Sequence, residues 1–239
     1  MRVEIENPRI KCYNCMRPLC TCICKHISPF QTKTRFIILM HPKEYKKEKN
    51  GTGHMTKLQL ENSEIIVGVD FTNNKRVNEI LKNSPSFLLY PGKESFNLST
   101  RKSAEINSFM GVNPHIFILD GTWPCARKML KLSKNLQQLK RVSFDNKIKS
   151  KFIIKQQPDP LCLSTIESVY TVLNLLNDGV EQCDTKDFLV PFEKMIEYQL
   201  ECIQNPNNNN YRPSTKKEIL PKTMYKKKAE RNIIFERDR

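Results

Sequence analysis

Short apolar runs alternate with stretches of helical periodicity through the middle of the chain, and this alternation limits the fold more than any other feature. The runs are TRFIILM from Thr34, EIIVGVDF from Glu64, SFLLY from Ser86 and HIFILD from His115. Each is almost unbroken in its hydrophobicity, the pattern of a strand covered on both faces. Between and after them, HMTKLQLEN, KRVNEILKN and WPCARKMLKLS carry apolar residues at helical spacing. RVSF from Arg141 reads as a further short strand and KFIIKQQ from Lys151 as another, while STIESVYTVLNLLN and DFLVPFEKMIEYQLECI read as longer helices. Such alternation predicts an α/β domain with a mainly parallel sheet. In sheets of this kind ligands sit at the carboxyl ends of the strands.

Three segments follow from this reading. Residues 1–30 form a cysteine-rich head, 31–205 the α/β body, and 206–239 a basic tail, expected to be disordered, that begins beyond the low-complexity run NPNNNNYRP. The net charge is +15. The tail accounts for only part of it: residues 211–239 hold ten basic and four acidic side chains, and the preceding 210 residues still carry +9. A basic body of this kind suits a polyanionic partner, since each neutralised phosphate releases counterions. KTMYKKKAER in the tail reads as a nuclear address, a phosphate-contacting arm or a solvated extension. No apolar stretch approaches the ~18 residues that cross a bilayer, and MRVEIENPRIKC lacks the apolar core of a secretory signal. These features predict a soluble protein of the cytoplasm or nucleus with no membrane partner; they leave the oligomeric state open.

Five of the nine cysteines fall between Cys12 and Cys24. In a chain without an export signal, this clustering reads as metal binding rather than as disulfides. Cys12-x2-Cys15 faces Cys22-x-Cys24, and two close thiolate pairs can close one tetrahedral zinc site. Cys20 is a fifth candidate by spacing. Four thiolates leave no open coordination position, so the expected role is structural.

Asp120, Gly121, Thr122 and Trp123, the only tryptophan, stand at the corner between the HIFILD strand and the following helix. Asp120 is a candidate for chemistry or simply a turn residue. Thr122 is a candidate helix cap with Pro124 in the first turn. His41 and Glu44 follow the first strand, and Asn50, Gly51, Thr52 and Gly53 make a polar loop that permits close approach. Pro91 and Gly92 follow the third strand. Ser164 and Glu167 make a capping box at a helix start whose free N–H groups suit an anion.

Taken together, these motifs resemble the DTW-domain family, the tRNA-uridine aminocarboxypropyltransferases. The Asp-x-Thr-Trp motif stands at Asp120–Trp123. The family's cysteine head matches Cys12, Cys15, Arg17, Pro18, Cys22, Cys24 and Ile27. Its H-P-x-E element matches His41, Pro42 and Glu44, with Thr52 and Gly53 later, its Y-P-G element matches Tyr90, Pro91 and Gly92, and its L-S-T-x-E element matches Leu163, Ser164, Thr165 and Glu167. The motifs occur in family order over about residues 12–177. Cys20 is extra to the pattern, and Cys125 and Ser168 depart from it without removing a motif residue.

The resemblance implies a fold related to the knotted SPOUT methyltransferases. It implies transfer of the 3-amino-3-carboxypropyl group of S-adenosylmethionine to N3 of a tRNA uridine, with release of 5′-methylthioadenosine. It also implies zinc in the head and a donor held by Thr52, Gly53, Pro91, Gly92, Thr122, Trp123, Leu163, Ser164 and Thr165. Asp120 would either accept the N3 proton, with burial beside Trp123 raising its pKa, or orient the donor's ammonium. Two rivals share the sequence features: a SPOUT-like RNA methyltransferase, and a non-catalytic zinc-dependent RNA-binding module.

Overall fold

The computed structural model describes residues 10–47, 51–154, 161–176 and 185–204. The anticipated strands form as β1 (Arg35–Met40), β2 (Glu64–Val67), β3 (Ser86–Leu89), β5 (His115–Asp120) and β6 (Lys140–Ser143), with a two-residue strand β4 (Phe96–Asn97) at one edge. All pairings are parallel, in the order β2-β1-β5-β3-β6-β4. β5 pairs with β1 over its full length, from Arg35 opposite His115 to Met40 opposite Asp120. The two central strands therefore end level, and Asp120 lies on the carboxyl edge of the sheet.

The helices are α1 (Pro42–Lys47), α2 (Thr52–Gln59), α3 (Lys75–Asn83), α4 (Ser103–Met110), α5 (Trp123–Leu132), α6 (Lys134–Gln137), α7 (Thr165–Leu176) and α8 (Val190–Gln204). They cover both faces of the sheet, which is why its strands read as continuous apolar runs. The pleat sends alternate residues to opposite sides. Phe36, Phe87, Ile116, Ile118 and Val142 pack with side chains of α2, α4, α7 and α8. Ile37, Leu39, Leu88 and Phe117 pack with Val77 and Ile80 of α3, Met129 and Leu130 of α5, and Leu136 of α6. Asp120 shares the parity of Ile116 and Ile118, so its side chain belongs to the α2/α7 face.

One local expectation changes. Residues 151–154 of the KFIIKQQ run form no strand. The carboxylate of Glu167 accepts from Lys151 N at 2.7 Å and from Ser150 Oγ at 2.7 Å, which holds this backbone in a loop. Phe152 is plugged into the core against Phe192, ring centroids 5.4 Å apart. Glu167 also accepts from Ser164 N at 2.8 Å, the back-reaching half of the anticipated capping box. Thus one buried carboxylate both caps α7 and pins the loop. Helices α1, α4 and α6 and strand β4 add to the elements read from the pattern. The remainder of the KFIIKQQ run, Asn50 and the basic tail lie outside the described residues.

The cysteine head shares the main core. Cys15 and Ile23 are buried with the α7/α8 layer, and Cys12, Cys22, Cys24 and Ile27 pack against it. Gln59, fully buried at the end of α2, fastens this junction. Its Oε1 accepts from Ser28 N at 3.0 Å, and its Nε2 donates to Asp187 O at 3.2 Å and Phe188 O at 3.0 Å. Replacing Gln59 by Leu removes the partner of three backbone groups, among them the carbonyl of buried Phe188. The substitution should lower unfolding stability by about 1–3 kcal/mol, read as an earlier urea midpoint at an unchanged slope.

Candidate active site

Three chain segments meet at the carboxyl edge of β5. Thr165, the first residue of α7, donates its hydroxyl to Asp120 Oδ1 at 2.6 Å. From the other side, the first turn of α2 closes on the same carboxylate. A Cβ added to Gly53 would stand 2.5 Å from Asp120 Oδ2 and 2.8 Å from Met40 Cε. Only glycine lets the α2 backbone approach this closely. The positive ends of two helices and a hydroxyl donor thus surround Asp120, an arrangement that favours the charged carboxylate.

His41 belongs to the frame of this corner. It is buried, its N–H donates to Asp120 O at 2.9 Å, and its Nδ1 accepts from Lys43 N at 3.1 Å. It locks the turn after β1 to the end of β5. His54, beside Gly53, stacks at a tilt on Tyr45, and burial lowers its pKa, leaving it neutral at pH 7.

A second group lies around the end of β3. Tyr90 meets Trp123 edge to face, with ring centroids 6.3 Å apart. The Arg141 guanidinium sits 5.5 Å over the Tyr90 ring, and a Cβ on Gly92 would lie 3.0 Å from Arg141 Nη1. Ser95 ties the loop back by donating its hydroxyl to Gly92 O at 2.7 Å and pairing with Ser143 Oγ at 2.8 Å. Thr122 occupies the N-cap position of α5 but makes no side-chain capping bond, and it is exposed. Its hydroxyl is not spent on the helix.

The structure therefore joins Asp120, Gly53 and Thr165 directly, with Thr52 one residue before Gly53 and Leu163 and Ser164 just before Thr165. It joins Trp123 to the Tyr90–Pro91–Gly92 turn. Arg141 was not legible as a site residue. Its only signal is a cation at the start of a short strand, and its meaning depends on strand order. Two surface depressions lie elsewhere, one beside α4 lined by Glu105, Phe109 and Lys140, the other beside α3 lined by Lys75, Asn78 and Glu79. Neither contains a motif residue.

In the head, the Sγ atoms of Cys12, Cys15, Cys22 and Cys24 all lie within 4.8 Å of one another. Cys12 and Cys24 are 3.6 Å apart, and Cys15 and Cys22 are 3.7 Å apart. Four sulfurs at ~2.3 Å from one tetrahedral ion stand about 3.8 Å apart, so the cluster fits a metal ion. Cys20 is exposed and outside this group. Backbone N–H groups of Cys15 and Asn14 pull the Cys12 thiol down to about 6, while burial pushes Cys24 up to about 12 and also raises Cys22. Buried Arg17 lies in the field of Cys15 and Cys22, where its charge offsets part of the excess negative charge of four thiolates on a divalent ion.

The chain matches the family model described as DTW domain over residues 9–200. It belongs to the DTW-domain family. It is 32% identical over 203 residues to a Drosophila melanogaster protein named tRNA-uridine aminocarboxypropyltransferase 2, covering 82% of this chain and 77% of that one. Proteins of the same name from Mus musculus and Macaca fascicularis are each 27% identical over 205 residues, covering 83% of this chain and 66% of theirs. No solved structure matches. No helix among the described residues is long and apolar enough to cross a membrane.

The cysteine cluster yields a direct expectation. Elemental analysis of the purified protein should find about one thiophilic metal ion per chain, absent from Cys12→Ser/Cys24→Ser. Because the ligands must be thiolates, protons compete with the metal. Its stabilisation should be present at neutral pH and lost on acidification or chelation, seen as a drop in Tm; a Tm indifferent to both would exclude a structural metal.

Proposed function

We propose that this protein transfers the 3-amino-3-carboxypropyl group of S-adenosylmethionine to N3 of a uridine in tRNA, releasing 5′-methylthioadenosine. The observation that carries the reading is the Thr165–Asp120 hydrogen bond closed over by Gly53. It brings motifs from three distant parts of the sequence to one carboxylate. The relatives named for this activity support it.

The donor supplies a sulfonium with three carbons open to displacement, and the one aimed at the nucleophile reacts. The chain's task is aim. Asp120 offers negative charge to a cationic donor, and Arg141 offers a guanidinium for the donor's carboxylate. Tyr90 and Trp123 offer aromatic surface, and Gly53 and Gly92 let backbone come close. Thr52, Pro91, Thr122, Leu163, Ser164 and Thr165 complete the binding set. In the reaction the bond from N3 to the γ-carbon forms as the carbon–sulfur bond breaks, and N3 loses its proton. Ionising uridine at pH 7 costs about 2–3 kcal/mol, so a nearby acceptor helps, and Asp120 fills that role. The Thr165 hydrogen bond favours a second role, in which Asp120 stays charged and orients the donor's ammonium.

We assign zinc to Cys12, Cys15, Cys22 and Cys24, with a structural role. We read the body as a relative of the knotted SPOUT fold, with residues 1–30 as the metal head and 206–239 as a basic tail. The cytoplasm or nucleus keeps such thiols reduced. N3 lies on the pairing edge of the base, so the target is a loop or flipped-out uridine.

Incubation with unmodified tRNA and S-adenosylmethionine, followed by nucleoside mass spectrometry, should show the aminocarboxypropyl increment. A methyl increment would favour the methyltransferase reading, and no increment the binding module. Asp120→Asn should reduce turnover by roughly 10²–10⁴-fold with donor affinity retained if Asp120 takes the proton. If it anchors the ammonium, donor affinity should fall with turnover, and unchanged turnover would remove it from the mechanism.

A further inference from the structure

One helix face carries charge that the fold does not use. Between Asp120 and Asp145 there is no acidic residue, and there are six basic ones: Arg127, Lys128, Lys131, Lys134, Lys140 and Arg141. Three of them have partners within the fold. Lys134 contributes to the field at Asp70, Lys140 lies over the Phe109 ring and Arg141 over the Tyr90 ring. The other three share a stripe. Because α5 buries Ala126, Met129 and Leu130, its period turns Pro124, Arg127, Lys128 and Lys131 outward together, and all four are exposed.

Several exposed cations elsewhere pair with an acid three or four residues along the chain. Arg76 pairs with Glu79, Arg101 with Glu105 and Lys194 with Glu197. Among the described residues, Arg127, Lys128 and Lys131 join no ion pair. Like charges at these spacings destabilise a helix. The dipole at the C-terminus of α5 compensates Lys131, but Arg127 and Lys128 lie further up the helix. At 1.5 Å per residue, the stripe runs from about 6 to about 12 Å along the axis from Trp123, the aromatic end of the Asp120 corner.

We propose that this α5 stripe is the docking surface for the sugar–phosphate backbone of the RNA strand flanking the reacting base. The proposal rests on reading the corner as a uridine-modifying site. The charge is complementary, and α5 starts at the corner itself, so phosphates held on Arg127, Lys128 and Lys131 fix the strand's distance from Asp120. Contacts of this kind set position and affinity and carry no sequence information.

The test is binding of a tRNA transcript between 50 and 200 mM salt by wild type and by Arg127→Gln/Lys128→Gln/Lys131→Gln, with Tm and S-adenosylmethionine affinity measured in parallel. The slope of log affinity against log salt should become shallower by about 2–3 in the triple variant, with Tm not lowered and donor affinity unchanged. Arg127→Lys/Lys128→Arg/Lys131→Arg should keep the wild-type slope. An unchanged slope in the glutamine variant, or an equal loss in the charge-preserving one, would overturn the proposal. If the glutamine variant loses RNA binding as expected while wild type makes no modified nucleoside, the catalytic reading fails and the surface stands. If wild type modifies tRNA and the glutamine variant keeps its slope, the surface alone fails.

Discussion

The carboxylate at the end of β5 is where the constraints on this molecule meet. It arrives there because two strands of equal length end level, Met40 opposite Asp120. It is held by a hydroxyl from α7 and shadowed by a glycine from α2. A helix start favours negative charge, and here two helix starts share one charge. Removing any of the three would leave the others without their reason. Asp120 alone would be a loose surface acid, Thr165 a simple first-turn residue, and Gly53 a costly place for flexibility.

The same economy runs outward. Glu167 caps α7, and it also grips the Ser150 hydroxyl and the Lys151 backbone N–H. Gln59 closes α2 and, through Ser28 and the turn Thr185–Leu189, ties the head to the helical layer. The helices that flank Asp120 are thus each anchored by one buried polar side chain, so the cysteine head and the corner are mechanically connected through α2.

Much of this was legible in the residues. The central strands declared themselves because both faces are covered, which makes β1 and β5 continuous apolar runs. The four cysteines declared themselves because two closely spaced pairs match the ligand spacing of a metal site. The DTW corner was visible as a carboxylate and an aromatic at a strand end. What escaped depends on contacts distant in sequence. β4 is two residues long and is held by Phe96 stacking on Phe109 at 4.0 Å, which no local pattern announces. The KFII run looked like a strand until Glu167, sixteen residues away from Lys151, claimed its backbone. Arg141 became a site residue only when strand order put β6 beside β3. The contact between Asp120 and Thr165 escaped as well, because a partner forty-five residues away leaves no trace in spacing.

The proposed activity puts the donor's amino-acid arm between Asp120 and the Tyr90–Trp123 pair, on the carboxyl edge of the sheet. A crystal structure with S-adenosylmethionine or a non-reactive analogue tests it most directly. The account predicts the sulfur beside the Asp120 carboxylate, with the arm running toward the aromatic pair and Arg141. Density for the donor at the opposite edge of the sheet, or with Asp120 facing away from it, would contradict the account outright.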